Sequence, residues 1–212
     1  MAERALTPEQ FQAQTDVSRE TMQRLQTYVE LLIAWNPRIN LVGPRTLDDV
    51  WRRHILDSAQ LRPLVPADTR TLVDLGSGAG LPGLILAILG VTRVHLVESD
   101  SRKSAFLREA ARITATDVTL HPRRFEEVRG ITADVVTARA CAPLPKLLDH
   151  AACFIDRHSI LLFLKGQNLG EELTGARKVW NMREMLHPSA SDPSGTILRL
   201  EEVTRADITA RS

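Results

Sequence analysis

The sequence predicts an α/β fold. A doubly wound, mainly parallel sheet is finished by an antiparallel hairpin and preceded by a helical extension. Three observations predict it. From Thr71 onward, short apolar runs alternate with helical segments, the grammar of βαβ units. The first such run, in "LVDLGSGAGLPG", breaks into four glycines within eight residues and then resumes as an apolar stretch. A crossover does this where the backbone must approach a ligand closely. Near the end, "MREMLHPS" and "TILRLEEV" flank the turn-rich "ASDPSG", which reads as an antiparallel hairpin.

The elements follow in order. Thr7-Pro8-Glu9-Gln10 is a capping box with Pro at the first helical position, and it opens a short helix. Met22, Leu25, Val29 and Leu32 recur at helical spacing, predicting a second helix from Ser18 to Trp35. "NPRINLVGPRT" carries two prolines and a glycine and is expected to be loop. A third helix follows Thr46, with Val50, Trp51, Ile55 and Ala59 on one side, and "RPLVPADT" closes this part. Strands are expected at 71–75, 94–98, 118–121, 134–138 and 159–164, and helices near 82–89, 101–113, 143–153 and 169–179. Residues 1–69 are thus expected to form a helical extension and 70–212 the α/β domain, together one compact unit.

Composition limits the rest. The chain has 212 residues, enough for one substantial core, with 43% hydrophobic and 25% charged residues, as in ordinary globular proteins. No apolar run approaches the roughly 20 residues needed to span a bilayer. "MAERALTPEQ" lacks the basic-then-apolar pattern of a secretory signal. Cys141 and Cys153 are too few for a disulfide framework or a cysteine-based zinc site, so no metal is expected, and the cytoplasm is the expected compartment. Net charge is only +1, which gives no global attraction to nucleic acid. The cations are nonetheless 23 Arg against 4 Lys, and Arg is the better bidentate partner for phosphate.

Several ligands could use such a glycine loop. A dinucleotide would place its pyrophosphate on the helix N-terminus. S-adenosylmethionine has no phosphate and needs only close backbone approach. Asp74, two residues before Gly76, is placed for the latter's ammonium, directly or through water. Leu81-Pro82 puts Pro at the first helical position, with Gly83 inside the helix. Glu98, ending the second strand, can accept hydrogen bonds from both ribose hydroxyls, a feature shared with NAD enzymes. The sole tyrosine, Tyr28, lies far upstream and outside any Y-x-x-x-K relay. The combination favours S-adenosylmethionine as cofactor and Gly76, Ser77, Gly78, Gly80 and Leu81 as its cradle. The hairpin after a parallel sheet also suits the class I methyltransferase variant of the Rossmann-like fold.

The nucleophile can be narrowed by elimination. Adenine amino-group methylation typically uses D/N-P-P-Y/F/W after the fourth strand, where this chain reads "TARACAPLP". Cytosine C5 methylation needs an attacking cysteine. Cys141 lacks the preceding Pro or Thr typical of that motif, and it reads as a small buried filler. Ribose 2′-O methylation usually needs a Lys-Asp-Lys-Glu set, but Arg139 stands where the Asp is wanted. Guanine N7 carries an available lone pair at neutral pH and needs orientation without an obligatory base. Arg139 and Lys165, at the ends of adjacent predicted strands, are where ligands bind in such sheets. Each could equally be an ordinary ion-pair residue.

"WNPRINLV", "RRHILDS", "VDLGSGAGLPG", "TARA" and "FLKGQN" occur in this order. The chain resembles, from Met22 to Val203, the bacterial small-subunit rRNA guanine-N7 methyltransferases known as RsmG or GidB. The resemblance implies methylation of one guanosine in the decoding region of 16S rRNA within the 30S subunit. It implies cofactor contacts at Gly76 and Leu81, an adenine contact at Phe125-Glu126, and a cofactor-binding and catalytic place for Arg139 in the S-R-A-type motif. It places Asn40, Arg53, His54 and Lys165 around the incoming guanosine. Gly-Ser-Gly-Ala-Gly replaces the commoner Gly-Thr-Gly-Pro-Gly, and Cys141 stands where an aromatic often sits. His54 fits either a packed core position or a role orienting the N-terminal helices over the cofactor. Arg102, Lys103, Arg108, Arg112, Arg123, Arg124 and Arg129 can serve as phosphate contacts or as solvated helix surface. A monomer is expected.

Overall fold

The structure, a computed structural model, describes residues 4–206. The first residues of "MAERALTPEQ" and the end of the expected α/β domain lie outside the described residues. α1 (Pro8–Thr15) opens on the expected capping box: Thr7 Oγ1 accepts from the Gln10 amide, and Gln10 Oε1 accepts from the Thr7 amide. α2 (Arg19–Ile39) buries Met22, Leu25, Tyr28, Val29, Leu32 and Asn36 along one stripe.

α2 runs past Trp35, through the segment expected to be loop. Pro37 removes one helical donor, but the carbonyl it frees belongs to exposed Ile33, where water can satisfy it. The last turn is held from outside. Buried Asn36 clasps the Val42 main chain, Nδ2 donating to its carbonyl at 3.1 Å and Oδ1 accepting from its amide at 2.8 Å. The helix stops at Asn40, whose φ of 49° is the left-handed cap conformation that Asn tolerates.

The expected third helix is helical but not uniformly α. A 3-10 turn (Pro44–Asp49) leads into a wider π turn (Trp51–Leu56) and one α turn, α3 (Asp57–Ala59). Val50, Trp51, Ile55 and Ala59 are all buried, as the periodicity requires. The π turn carries Arg53 and His54.

The sheet contains β1 (Leu72–Leu75), β2 (Val94–Val97), β3 (Val118–His121), β4 (Val135–Arg139), β5 (Ile160–Lys165), β6 (Trp180–Pro188) and β7 (Thr196–Arg205). Their order is β3-β2-β1-β4-β5-β7-β6. The first five run parallel, and β7 inserts antiparallel between β5 and β6. The crossovers are α4 (Gly83–Ile88), α5 (Ser101–Ile113), α6 (Leu144–Ala151) and α7 (Leu169–Ala176). Pro82 caps α4 rather than occupying its first turn, so Gly83 is the first helical residue.

Strand alternation divides the core. Leu72, Leu96, Val135 and Leu162 face α4, α5 and the N-terminal helices, all within one apolar cluster. Val73, Leu75, Val136 and Phe163 face α6 and α7 in a second. Because β1, β4 and β5 are parallel, their C-terminal tips bring Asp74, Arg139 and Lys165 to one edge of the sheet. Among the described residues no helix is long and apolar enough to cross a membrane, and no group of three or more His, Cys, Asp or Glu is placed to hold a metal ion.

Candidate active site

The glycine loop turns sharply between β1 and α4. Gly76, Gly78 and Gly80 have φ of 64°, 55° and 86°, a region that other residues enter only with strain. At Gly76 a side chain is also excluded by contact: a Cβ there would sit 2.6 Å from Cys141 Sγ. Ser77 is buried and structural, its amide donating to the Val97 carbonyl and its hydroxyl to the Asp74 carbonyl. Leu81 is buried in the first cluster, so its part in the loop is one of backbone and packing. A Cβ at Gly83 would meet Asp74 at 2.5 Å, so α4 approaches the strand closely only because this residue is glycine.

Asp74 is fully buried. Its Oδ1 accepts from Thr137 Oγ1 at 2.7 Å on the neighbouring strand. Its Oδ2 has no hydrogen-bond partner among the described residues. Burial raises the carboxyl pKa to about 6 against the opposing pull of Thr137, Ser77, the Gly83 backbone and Arg139. A buried carboxylate oxygen without a donor is costly, and a cationic ligand group near the strand tip would relieve that cost. Glu98 directly follows β2 and straddles the loop: Oε2 accepts from the Gly78 amide at 2.9 Å, Oε1 from the Asp100 amide at 2.7 Å. Each oxygen keeps a lone pair for a ligand hydroxyl. Phe125 lies over the loop, its ring 3.8 Å from a Cβ position at Gly76 and its centroid 4.7 Å from that of His150, the two rings tilted at 43°. Glu126 is exposed and within 3.3 Å of His150 Nδ1. An orphaned acid, a glycine cradle, a diol-accepting carboxylate and an aromatic lid fit S-adenosylmethionine.

A cleft of ≈ 870 Å³ opens beside this loop. Cys141 joins the two, lining the cleft while its Sγ stands against Gly76. It is half-buried rather than the buried filler expected, because Ala140, at φ 47°, turns the chain outward as β4 ends. Three cations line the cleft, and each meets an acid. Arg139 Nη1 donates to Asp57 Oδ2 at 3.2 Å, Lys165 Nζ lies 2.5 Å from Glu172 Oε2, and Arg53 Nη1 donates to Asp192 Oδ2 at 2.7 Å.

His54 is buried and its protonation follows from its partners. The Thr46 hydroxyl donates to the Gly43 carbonyl at 2.6 Å, so it accepts from His54 Nε2, 2.7 Å away. Nδ1 is then the bare nitrogen, and it accepts from Arg139 Nη1 at 3.0 Å. Burial, with the charges of Arg139 and Arg53, lowers the imidazole pKa to about 3, which agrees with a neutral ring.

The structure therefore brings Arg53, His54, Arg139 and Lys165 together at one cleft. Asn40 is exposed at the end of α2 and is not among the residues lining it. Four participants escaped the sequence reading. Tyr28 donates to the Ala79 carbonyl inside the loop, and its place on the apolar stripe of α2 was a readable signal. Asp57 lies three residues beyond His54 in "RRHILDS", a spacing that could have paired it with the cleft. Glu172 and Asp192 arrive from α7 and the hairpin, and nothing local marks them.

The sequence model of the family described as "rRNA small subunit methyltransferase G" (GidB) matches residues 21–194. Among curated relatives, "Ribosomal RNA small subunit methyltransferase G" of Rhodospirillum rubrum is 57% identical over 201 residues, covering 95% of this chain and 100% of that protein. Its counterpart in Rhodospirillum centenum is 58% identical over 193 residues, covering 91% and 89%. Solved structures share the fold at low identity. A mutant of MtNAS in complex with S-adenosylmethionine has a TM-score of 0.59 at 14% identity, over 92% of this chain and 84% of that one. A ribosomal protein L11 methylase from Lactobacillus delbrueckii subsp. bulgaricus has 0.56 at 14%, over 70% and 76%. The fold is that of the class I S-adenosylmethionine-dependent methyltransferases, and the chain belongs to the rRNA small subunit methyltransferase G (GidB) family.

Proposed function

We propose that this chain methylates N7 of a guanosine in 16S rRNA, using S-adenosylmethionine and acting as a monomer on the 30S subunit. The cofactor supplies an electrophilic methyl on a sulfonium, so aligning the reactants provides much of the rate, as much as about 7–11 kcal/mol in well-oriented cases. Asp74, the backbone from Gly76 to Leu81, Glu98, Phe125 and Glu126 would hold it.

The observation that carries the choice of atom is the state of His54. Both ring nitrogens are committed, one to Thr46 and one to Arg139, and the ring is neutral. The histidine at the cleft is thus a support and does not take a proton from a nucleophile. An alcohol or an exocyclic amine needs that help to form a neutral product, whereas guanine N7 attacks with its own lone pair. Its product ring is cationic, and the pairing of each cleft cation with Asp57, Glu172 or Asp192 tempers the repulsion that bare cations would exert on it. An open cleft lined by charged groups also suits a large polyanion better than a small apolar substrate.

The test is transfer of a labelled methyl from S-adenosylmethionine to 30S subunits of a strain lacking this protein, with naked 16S rRNA in parallel. The proposal expects incorporation into the subunit and little into the naked RNA. Preference for the naked RNA would remove the assembled subunit as substrate, and no incorporation into either would defeat the methyl-transfer reading.

A further inference from the structure

Arg139 is held through one of its three nitrogens. The two protons of Nη1 make every hydrogen bond of this side chain among the described residues, shared among three acceptors: the Arg53 carbonyl at 3.1 Å, His54 Nδ1 at 3.0 Å and Asp57 Oδ2 at 3.2 Å. Nε–H and Nη2–H have no partner there. The side chain is one-fifth exposed and lines the cleft.

The anchors are themselves fixed. Asp57 uses its other oxygen, Oδ1, to accept from Ser191 Oγ at 2.5 Å and from Gln60 Nε2 at 3.1 Å. His54 is pinned from behind through Thr46 to Gly43. Two donors on one side of a planar guanidinium form the fork that binds two oxygens of a single anion. The same fork on the Hoogsteen edge of guanine would cover N7, the atom proposed to react, so the fork serves an anion and not that edge.

We propose that Asp57 is a positioning residue that, with His54, holds Arg139 by Nη1 so that its Nε/Nη2 edge receives a two-oxygen anion in the cleft. This rests on the methyl-transfer reading above. The anion has two possible sources, an RNA phosphodiester or the carboxylate of the cofactor's methionine part. Asp57 touches neither ligand and works through Arg139.

The test is a double-mutant cycle on the full chain with Asp57→Ala and Arg139→Ala, and Asp57→Asn beside them as the variant that preserves size. Thermal melting confirms folding, labelled methyl transfer to 30S subunits gives kcat and KM, and calorimetry gives affinities for S-adenosylmethionine and 5′-methylthioadenosine. Arg139→Ala is expected to lower kcat/KM at least about 30-fold and Asp57→Ala about tenfold, with Asp57→Asn between wild type and Asp57→Ala. In the Arg139→Ala background, Asp57→Ala should cost less than about twofold more, the coupling expected of residues acting as one unit. If the anion is the carboxylate, S-adenosylmethionine affinity falls in Arg139→Ala while that for 5′-methylthioadenosine, which lacks the amino acid part, is unchanged. If it is a phosphodiester, neither affinity moves and the loss is in KM for the subunit. Two results overturn the proposal: losses that multiply in the double variant, or an Asp57→Ala variant that is folded and fully active. An inactive wild type would instead refute the methyl-transfer reading itself.

Discussion

The Tyr28 hydroxyl donates to the Ala79 carbonyl across 2.7 Å, tying the middle of α2 to the crest of the glycine loop. Both residues are buried, and burial pushes the phenol well above its ordinary pKa, so it remains a donor. Tyr28→Phe removes only that oxygen and leaves the carbonyl unpaired, at a cost of about 1–3 kcal/mol. The expected result is a folded protein with a lower Tm and about tenfold weaker S-adenosylmethionine binding, about 1.4 kcal/mol. Equal calorimetric affinities for the variant and wild type would show that the loop holds its shape without this tie.

At Gly76 the prediction separates contact from strain. Gly76→Ala places a methyl 2.6 Å from Cys141 Sγ at a φ of 64°. Cofactor affinity should fall by a factor of at least ~30, combining a clash with a left-handed backbone cost of about 1–2 kcal/mol. Adding Cys141→Ala removes the sulfur and leaves the neighbouring carbon at 3.4 Å, so the double variant should recover part of the affinity. No recovery would mean the sulfur contact is not the obstacle.

Asp74 is expected to trade stability for binding. Its folded pKa of about 6 lies above the ordinary 3.8, so the folded state holds a proton that the unfolded chain has already released. The group therefore destabilises the apo protein progressively as pH rises from about 4 through 6, by up to about 3 kcal/mol. Asp74→Asn should raise the apo Tm at pH 7 while weakening S-adenosylmethionine binding more than about tenfold. In the wild type, cofactor affinity should drop below pH 6, where the carboxyl gains its proton. A pH-independent affinity between 5 and 7.5 would remove Asp74 from contact with a cationic group.

His54 has the opposite dependence. Its folded pKa of about 3 lies below the ordinary 6.5, so the unfolded chain takes up the proton first. Stability present above pH 6.5 is then lost as pH falls toward 3, at a slope approaching about 1.4 kcal/mol per pH unit. His54→Gln should flatten the denaturation profile between pH 6.5 and 4. An unchanged slope would place the titration elsewhere.

Lys165 Nζ and the Leu144 amide both donate to Glu172 Oε2, tying β5 to the start of α6 and to α7. Lys165→Met is expected to raise KM for the 30S subunit about tenfold while leaving S-adenosylmethionine affinity within about twofold. A matching loss of cofactor affinity would place Lys165 on the other side of the methyl group.

The βαβ grammar, the hairpin and the glycine loop were legible because each is local: periodicity within one segment, or glycines within one turn. Asp74, Glu98 and Arg139 were legible for the same reason, being strand-end residues beside or facing a recognisable loop. What escaped depended on contacts distant in sequence. At the end of α2, Pro37 signals a break in the sequence, whereas Asn36 holding Val42 preserves the last turn. His54 looked like either a core residue or a functional one. The structure makes it a buried, neutral residue with one nitrogen on Arg139 at the cleft, a contact that needs a partner 85 positions away. The Arg53–Asp192 and Asp57–Ser191 links span more than 130 residues, and no pattern within either segment announces them.

The most direct measurement maps the product. Methylated 16S rRNA, treated with borohydride and then aniline, breaks at a guanosine carrying a methyl on N7. A single new break in the decoding region, dependent on this protein and on S-adenosylmethionine, is the predicted result. Label that enters the RNA and survives the treatment without strand scission would contradict it.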